Sequence, residues 1–175
     1  VLRPAWEALL SEVPSARLLI APHEPTPSHL EPLASWASLA GLDAAPLGAA
    51  TPETDVVLVD RVGVLADLYA LADVAYVGGG FHRAGLHSVV EPAAFGVPVL
   101  VGPGHPGSRD ATRLLAAGAA VGVDDAGALT AALAIALTEP DTRARAGAAA
   151  LRVVAEERGA AARSVALVEQ LMRGA

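Results

Sequence analysis

Five short apolar runs, spaced through the chain and separated by alanine-rich stretches, constrain this fold more than anything else. They are Arg17–Ala21 (RLLIA), Val56–Asp60 (VVLVD), Val74–Gly78 (VAYVG), Val97–Val101 (VPVLV) and Ala119–Val123 (AAVGV). Each is too short for a helix and too continuously apolar for a strand with one wet face, so each reads as a buried strand. Helical segments are expected between them, over Pro27–Ala40, Leu65–Ala72, Ser88–Phe95 and Ser108–Ala117. Pro27 sits in a first turn, where its missing N–H costs nothing. A further helix over Arg3–Glu12 precedes the first strand, and three follow the last, over Ala126–Leu137, Asp141–Glu156 and Ala160–Met172. The turn-rich Gly41–Asp55 has room for a short edge strand. Strand and helix in alternation require parallel strands with crossover helices, so the expected fold is α/β: a Rossmann-like parallel sheet with helices on both faces.

The 175 residues suit one domain, 1–175. A chain that opens on a helix and closes on three helices without a strand is unusual for a self-contained enzyme. It is expected to be one half of a two-domain protein. Aromatic residues make up only 3% of the chain, so the core must be built from small aliphatic side chains on closely packed helices. The longest apolar runs, Leu114–Val123 and Ala131–Leu137, fall well short of the roughly 18 residues a membrane-spanning helix needs. With no cysteine there is no disulfide framework and no thiolate metal site. Five scattered histidines show no metal-ligand spacing, so neither metal nor cofactor is expected. The net charge of −7, with arginine as the sole strong base and no basic cluster, argues against nucleic acid as a partner. The absence of lysine also excludes a phosphate-binding P-loop of the Walker type.

Chemistry is concentrated in Val77–Gly102, VGGGFHRAGLHSVVEPAAFGVPVLVG. Here a strand ends in Gly78, Gly79 and Gly80, and a helix follows. Consecutive glycine N–H groups at the carboxyl end of a parallel strand form an anion nest, and the absence of side chains lets a phosphate approach. The same triplet also suits a plain tight turn that needs positive φ. His87 and Glu91 are four apart and are expected to share a helix face. Ser88 is the expected N-cap, and Glu91 in the first turn gains from the helix dipole, a structural role that competes with binding a ribose. His23, in Ala21-Pro22-His23-Glu24-Pro25, leaves the carboxyl end of the first strand and faces the ligand edge of such a sheet. Asp60 and Arg61 leave the next strand in the same way, as either site residues or an ordinary loop ion pair. Gly102-Pro103-Gly104-His105-Pro106 closes a further strand on the same edge.

Taken in order, these residues resemble a family. Asp60-Arg61-Val62-Gly63 with Leu65, Leu68-Tyr69-Ala70-Leu71-Ala72-Asp73-Val74, Val77-Gly78-Gly79-Gly80-Phe81, His87, Glu91-Pro92-Ala93-Ala94-Phe95-Gly96-Val97-Pro98-Val99 and Gly102-Pro103 are similar to the C-terminal half of 3-deoxy-D-manno-octulosonic acid (Kdo) transferases. The likeness is strongest over Asp60–Pro103. Its Glu91, Gly96 and Pro98 core is shared more widely among glycosyltransferases of the two-Rossmann (GT-B) fold.

The resemblance implies a donor-binding domain that holds CMP-Kdo without a metal. An N-terminal acceptor domain of the same protein would supply the catalytic base, leaving the catalytic residues unknown in this chain. It implies transfer of Kdo to a lipid A precursor, in the cytoplasm at the inner face of the membrane, with peripheral membrane association through the other half. His23, Gly78, Gly79, Gly80, His87, Ser88 and Glu91 would then form the nucleotide site. The glycine turn and helix start would take the phosphate, Glu91 the ribose, and His23 would line the pocket. Several positions depart from the family pattern. The APHEP loop lacks the family's flanking arginines, Gly80 replaces a serine, Leu86 and Ser88 flank His87, and Gly107 and Ser108 replace an asparagine-phenylalanine pair. Two alternatives stay open: another sugar-nucleotide GT-B enzyme, such as a UDP-sugar transferase or 2-epimerase, and a non-catalytic nucleotide- or partner-binding relative.

Overall fold

The computed structural model describes residues 1–81, 85–157, and residues 165, 169, 170, 172 and 173. All five expected strands form, each shortened to three residues. They are β1 (Leu18–Ile20), β3 (Val56–Leu58), β4 (Ala75–Val77), β5 (Val99–Val101) and β6 (Ala120–Gly122). The sixth strand, β2 (Ala44–Pro46), lies within the turn-rich segment and pairs along one edge only. Pro46 is compatible with that position because a strand's outer edge needs no N–H donor. All pairings are parallel, in two three-stranded sheets ordered β1-β3-β2 and β4-β5-β6.

Among the described residues seven α-helices accompany them: α1 (Leu2–Leu10), α2 (Pro27–Leu39), α3 (Leu65–Tyr69), α4 (Val90–Ala94), α5 (Arg109–Ala116), α6 (Ala126–Thr138) and α7 (Pro140–Glu157). The helix expected over Ala160–Met172 lies largely outside the described residues. Strand β5 shows why both faces of the second sheet must be covered. Its three residues are all buried, and their side chains alternate between two apolar clusters. Leu100 joins the cluster of Trp6, Leu9, Trp36, Leu129 and Leu133, contributed by α1, α2 and α6. Val99 and Val101 join Val89, Ala93, Ala111, Leu114, Ala149 and Val153 beside α4, α5 and α7. The first sheet is less enclosed: Val56 and Leu58 are buried, but Leu19, at the centre of β1, is 41% exposed.

Local chemistry fixes the helix positions. Ser108 caps α5 by accepting from the Ala111 N–H (3.2 Å), and Asp125 caps α6 by accepting from the Ala128 N–H (2.8 Å). Thr130 Oγ1 donates to the Ala126 carbonyl (2.9 Å) and also meets the Ala5 carbonyl (3.2 Å), tying α6 to α1. The Trp36 indole N–H donates to Glu7 Oε1 (2.6 Å), joining α2 to α1. At the α4–α7 crossing two glycines let backbones meet: a Cβ on Gly147 would lie 2.3 Å from the Gly96 carbonyl oxygen. The Arg143 guanidinium spans α7 and the end of α6. It donates to the carbonyls of Ala136 (2.9 Å) and Leu137 (3.3 Å) and pairs with Asp73 (3.4 Å).

Candidate nucleotide-binding edge

Within each sheet every strand runs the same way, and the contact of His23 after β1 with His87 after β4 brings the carboxyl ends of the two sheets together on one edge. That edge carries His23, the Asp60–Arg61 pair, Gly78–Gly80 and Gly102–His105. Its floor is glycine backbone in close contact. The Gly104 N–H donates to the Gly80 carbonyl (2.7 Å), and the His87 N–H to the Gly78 carbonyl (3.2 Å). Gly79 has φ +88°, and a Cβ there would lie 2.2 Å from the Gly85 carbonyl oxygen. A Cβ on Gly80 would lie 2.7 Å from Gly102 backbone atoms. The triplet therefore serves the tight turn that needs positive φ, one of the two readings that the sequence held open.

His23 and His87 meet across this edge. Their rings stack, with centroids 5.1 Å apart and planes inclined by 27°. Both side chains are exposed to solvent, and the ring of His87 lies over Gly78. Sequence reasoning named each residue but had no means of pairing them, since the contact joins loops far apart in the chain.

The helix expected over Ser88–Phe95 is shorter and starts later, at Val90. Its N-cap is Val89, with no side-chain cap, so Ser88 does not cap it. The reason is upstream. Gly85 takes φ +91° and the His87 N–H is bonded to Gly78, so 85–88 run irregularly against the glycine turn. His87 consequently precedes the helix and does not share a helix face with Glu91, contrary to the spacing argument. Glu91 does lie in the first turn of α4, exposed.

Two aromatic residues to which the sequence reading gave no site role, Tyr69 and Phe95, meet between α3 and the end of α4. The Tyr69 ring lies 6.4 Å from that of Phe95. Burial, and secondarily the Glu91 carboxylate, push the Tyr69 phenol above its usual pKa. The signal was present in the helical spacing of α3 but is indistinguishable there from core packing. Asp60 and Arg61 form a mutual ion pair (3.0 Å), and the Arg61 guanidinium lies over Gly48, towards β2. This is the ordinary loop pair among the two readings. His105 Nδ1 is 3.0 Å from the Gly102 carbonyl, which fixes the proton on Nδ1 and turns the ring over Gly122.

A separate cavity of about 340 Å³ lies between β5–β6 and α6–α7, lined by Leu100, Val121, Ala132, Ile135, Ala136 and Arg143. Its one charged group, Arg143, is already committed to two carbonyls and Asp73. It offers a nucleotide little polar recognition, so the open glycine edge is the better candidate despite lacking a comparable hollow.

Fold and edge together define a Rossmann-like α/β domain of the kind that forms the C-terminal half of GT-B proteins. The comparisons are more particular. The chain is 37% identical over 171 residues to the 3-deoxy-D-manno-octulosonic acid transferase of Bordetella pertussis, covering 94% of this chain and 39% of that protein. It is 34% identical over 118 residues to the Haemophilus influenzae transferase of the same name, covering 66% of this chain and 28% of that protein. A segment of 51 residues is 49% identical to the Aquifex aeolicus transferase, covering 29% of this chain and 14% of that protein. Among solved structures, it resembles the C-terminal CMP-Kdo binding domain of WaaA from Acinetobacter baumannii with a TM-score of 0.76. That match has 24% identity over 86% of this chain and 79% of the other. No family model matches. The chain is thus similar to Kdo transferases, as its residues suggest, and spans about two fifths of the Bordetella protein's length.

Proposed function

We propose that this chain is the donor-binding domain of a glycosyltransferase that transfers Kdo from CMP-Kdo to a lipid A precursor. The observation that carries the reading is the stacking of His23 on His87 at the glycine edge, in a chain similar to Kdo transferases along 94% of its length. In this reading the Gly78–Gly80 N–H groups and the two imidazoles receive the phosphate, and Glu91 takes the ribose hydroxyls. The chain's own contribution is to bind and orient the donor. Activation of the acceptor belongs to an acceptor-binding domain of the same protein, which would work at the cytoplasmic face of the membrane. Among the described residues no helix is long and apolar enough to cross a membrane, and in this reading peripheral membrane association comes through the acceptor-binding half.

One observation favours a second reading, a relative that binds nucleotide without catalysis: the APHEP loop lacks the arginines of the family pattern. Losing guanidinium donors weakens charge stabilisation of a phosphate. Calorimetric titration with CMP, UMP, UDP, GDP and ADP tests the proposal. CMP is expected to bind at least about tenfold tighter than the rest, roughly 1.4 kcal/mol, and with the same affinity in EDTA. Preference for UDP would transfer the reading to another sugar-nucleotide enzyme, and binding of none would overturn it.

A further inference from the structure

We infer that His23 and His87 act as one proton-accepting clamp, which takes up a proton from solvent as it closes on a nucleotide's phosphodiester. The inference rests on the nucleotide reading above and adds how the ligand's charge is balanced. The two rings stack at 5.1 Å, so one anion can sit beside both. An anion beside an imidazole stabilises its protonated form. Imidazole is the side chain whose ordinary titration falls near neutrality, so it can gain charge there.

The other charged groups around the pair do not have that freedom. Glu24, next to His23, and Glu91 on α4 are carboxylates and add only negative charge, and His29 in the first turn of α2 spends Nδ1 on the Glu24 carbonyl (2.8 Å). The Asp60–Arg61 pair at the end of β3 is self-compensated at 3.0 Å, and its guanidinium leans over Gly48. Tyr69, packed near Glu91 on α3, is a phenol that burial and the Glu91 carboxylate push above its usual pKa, and it carries no positive charge. The β4 turn meets His87 with glycine backbone alone. His105 on the β5 loop spends Nδ1 on the Gly102 carbonyl. Among the described residues, the stacked pair is therefore the group at this edge placed to supply positive charge on demand, in place of the arginines the APHEP loop lacks.

The test is calorimetry with the methyl ester of CMP, a phosphodiester whose single charge is constant between pH 6 and 8. CMP itself loses its second phosphate proton near pH 6 and would confuse the result. Titrations at pH 6, 7 and 8 are joined, at pH 7, by repeats in two buffers of different ionisation enthalpy. Binding is expected to weaken about tenfold from pH 6 to pH 8, with net proton uptake at pH 7. His23→Gln and His87→Gln should each flatten the pH dependence and at least halve the uptake, while His105→Gln retains both. Tight, pH-independent binding with no proton uptake in the native chain would overturn the clamp and leave the nucleotide site standing. Uptake undiminished in both variants would overturn it equally. Failure of the native chain to bind the ester at any pH would overturn the nucleotide reading itself.

Discussion

The two halves of the ligand edge are built by different means. Around β4 and β5 the edge is backbone: Gly79 meets the Gly85 carbonyl, and Gly80 meets Gly102 and Gly104, at distances where no side chain fits, on strands buried on both faces. Around β1 and β3 it is side chain: His23, Asp60 and Arg61 on exposed loops, carried by a sheet whose central Leu19 is open to solvent. Backbone packing of the first kind tolerates almost no substitution, whereas exposed side chains can change with little effect on folding.

The contrast breaks most directly at Gly79. An added Cβ meets the Gly85 carbonyl at 2.2 Å in a backbone conformation that L residues avoid. Gly79→Ala should therefore destabilise by about 3 kcal/mol or more, combining overpacking and backbone strain, seen as a lowered denaturation midpoint. His23→Ala, on the other half, should change stability by less than about 0.5 kcal/mol. Equal losses at the two positions would erase the distinction.

Glu91 sharpens the comparison by joining a backbone-built half to a side-chain role. Glu91→Gln should weaken CMP binding about tenfold, consistent with loss of a charge-assisted hydrogen bond, and weaken binding of 2′-deoxy-CMP much less. Equal weakening towards both ligands would return Glu91 to a helix-dipole role alone.

Much of this was legible in the sequence. The apolar runs located the five strands within two residues at each end, because a buried parallel strand leaves a continuous apolar signal that no solvated segment shares. Helices α5 and α6 start one residue after Ser108 and Asp125, whose side chains cap them. The start of α4 was misread because Ser88 followed by an apolar pair imitates a cap. The competing event, His87 bonding back to Gly78 past a left-handed Gly85, is tertiary and leaves no periodic trace. For the same reason the residues of the His23–His87 stack were legible, but their contact was not.

Smaller effects mark the margins of the two halves. Asp125→Ala removes the cap of α6, remote from the edge, and should cost about 1 kcal/mol by thermal denaturation without changing nucleotide affinity. Smallest is the ionisation of Tyr69. Its folded-state pKa lies above the unfolded one, so the stability it supplies is full below about pH 10 and is lost as pH rises through the folded value. In a Tyr76→Phe background, ultraviolet phenolate absorbance should show Tyr69 titrating above its ordinary range, and Glu91→Gln should bring it slightly down. An unchanged titration would separate Tyr69 from Glu91.

The central claim is that ligand binds at the edge where the glycine backbone faces the two histidines. Backbone amide NMR during titration with CMP tests it residue by residue. The account predicts saturable shifts at Gly78, Gly79, Gly80, Gly104 and the amides of His23 and His87, with Val121, Ala132 and Ile135 unmoved. Shifts confined to Val121, Ala132, Ile135 and their neighbours around the apolar cavity would contradict it.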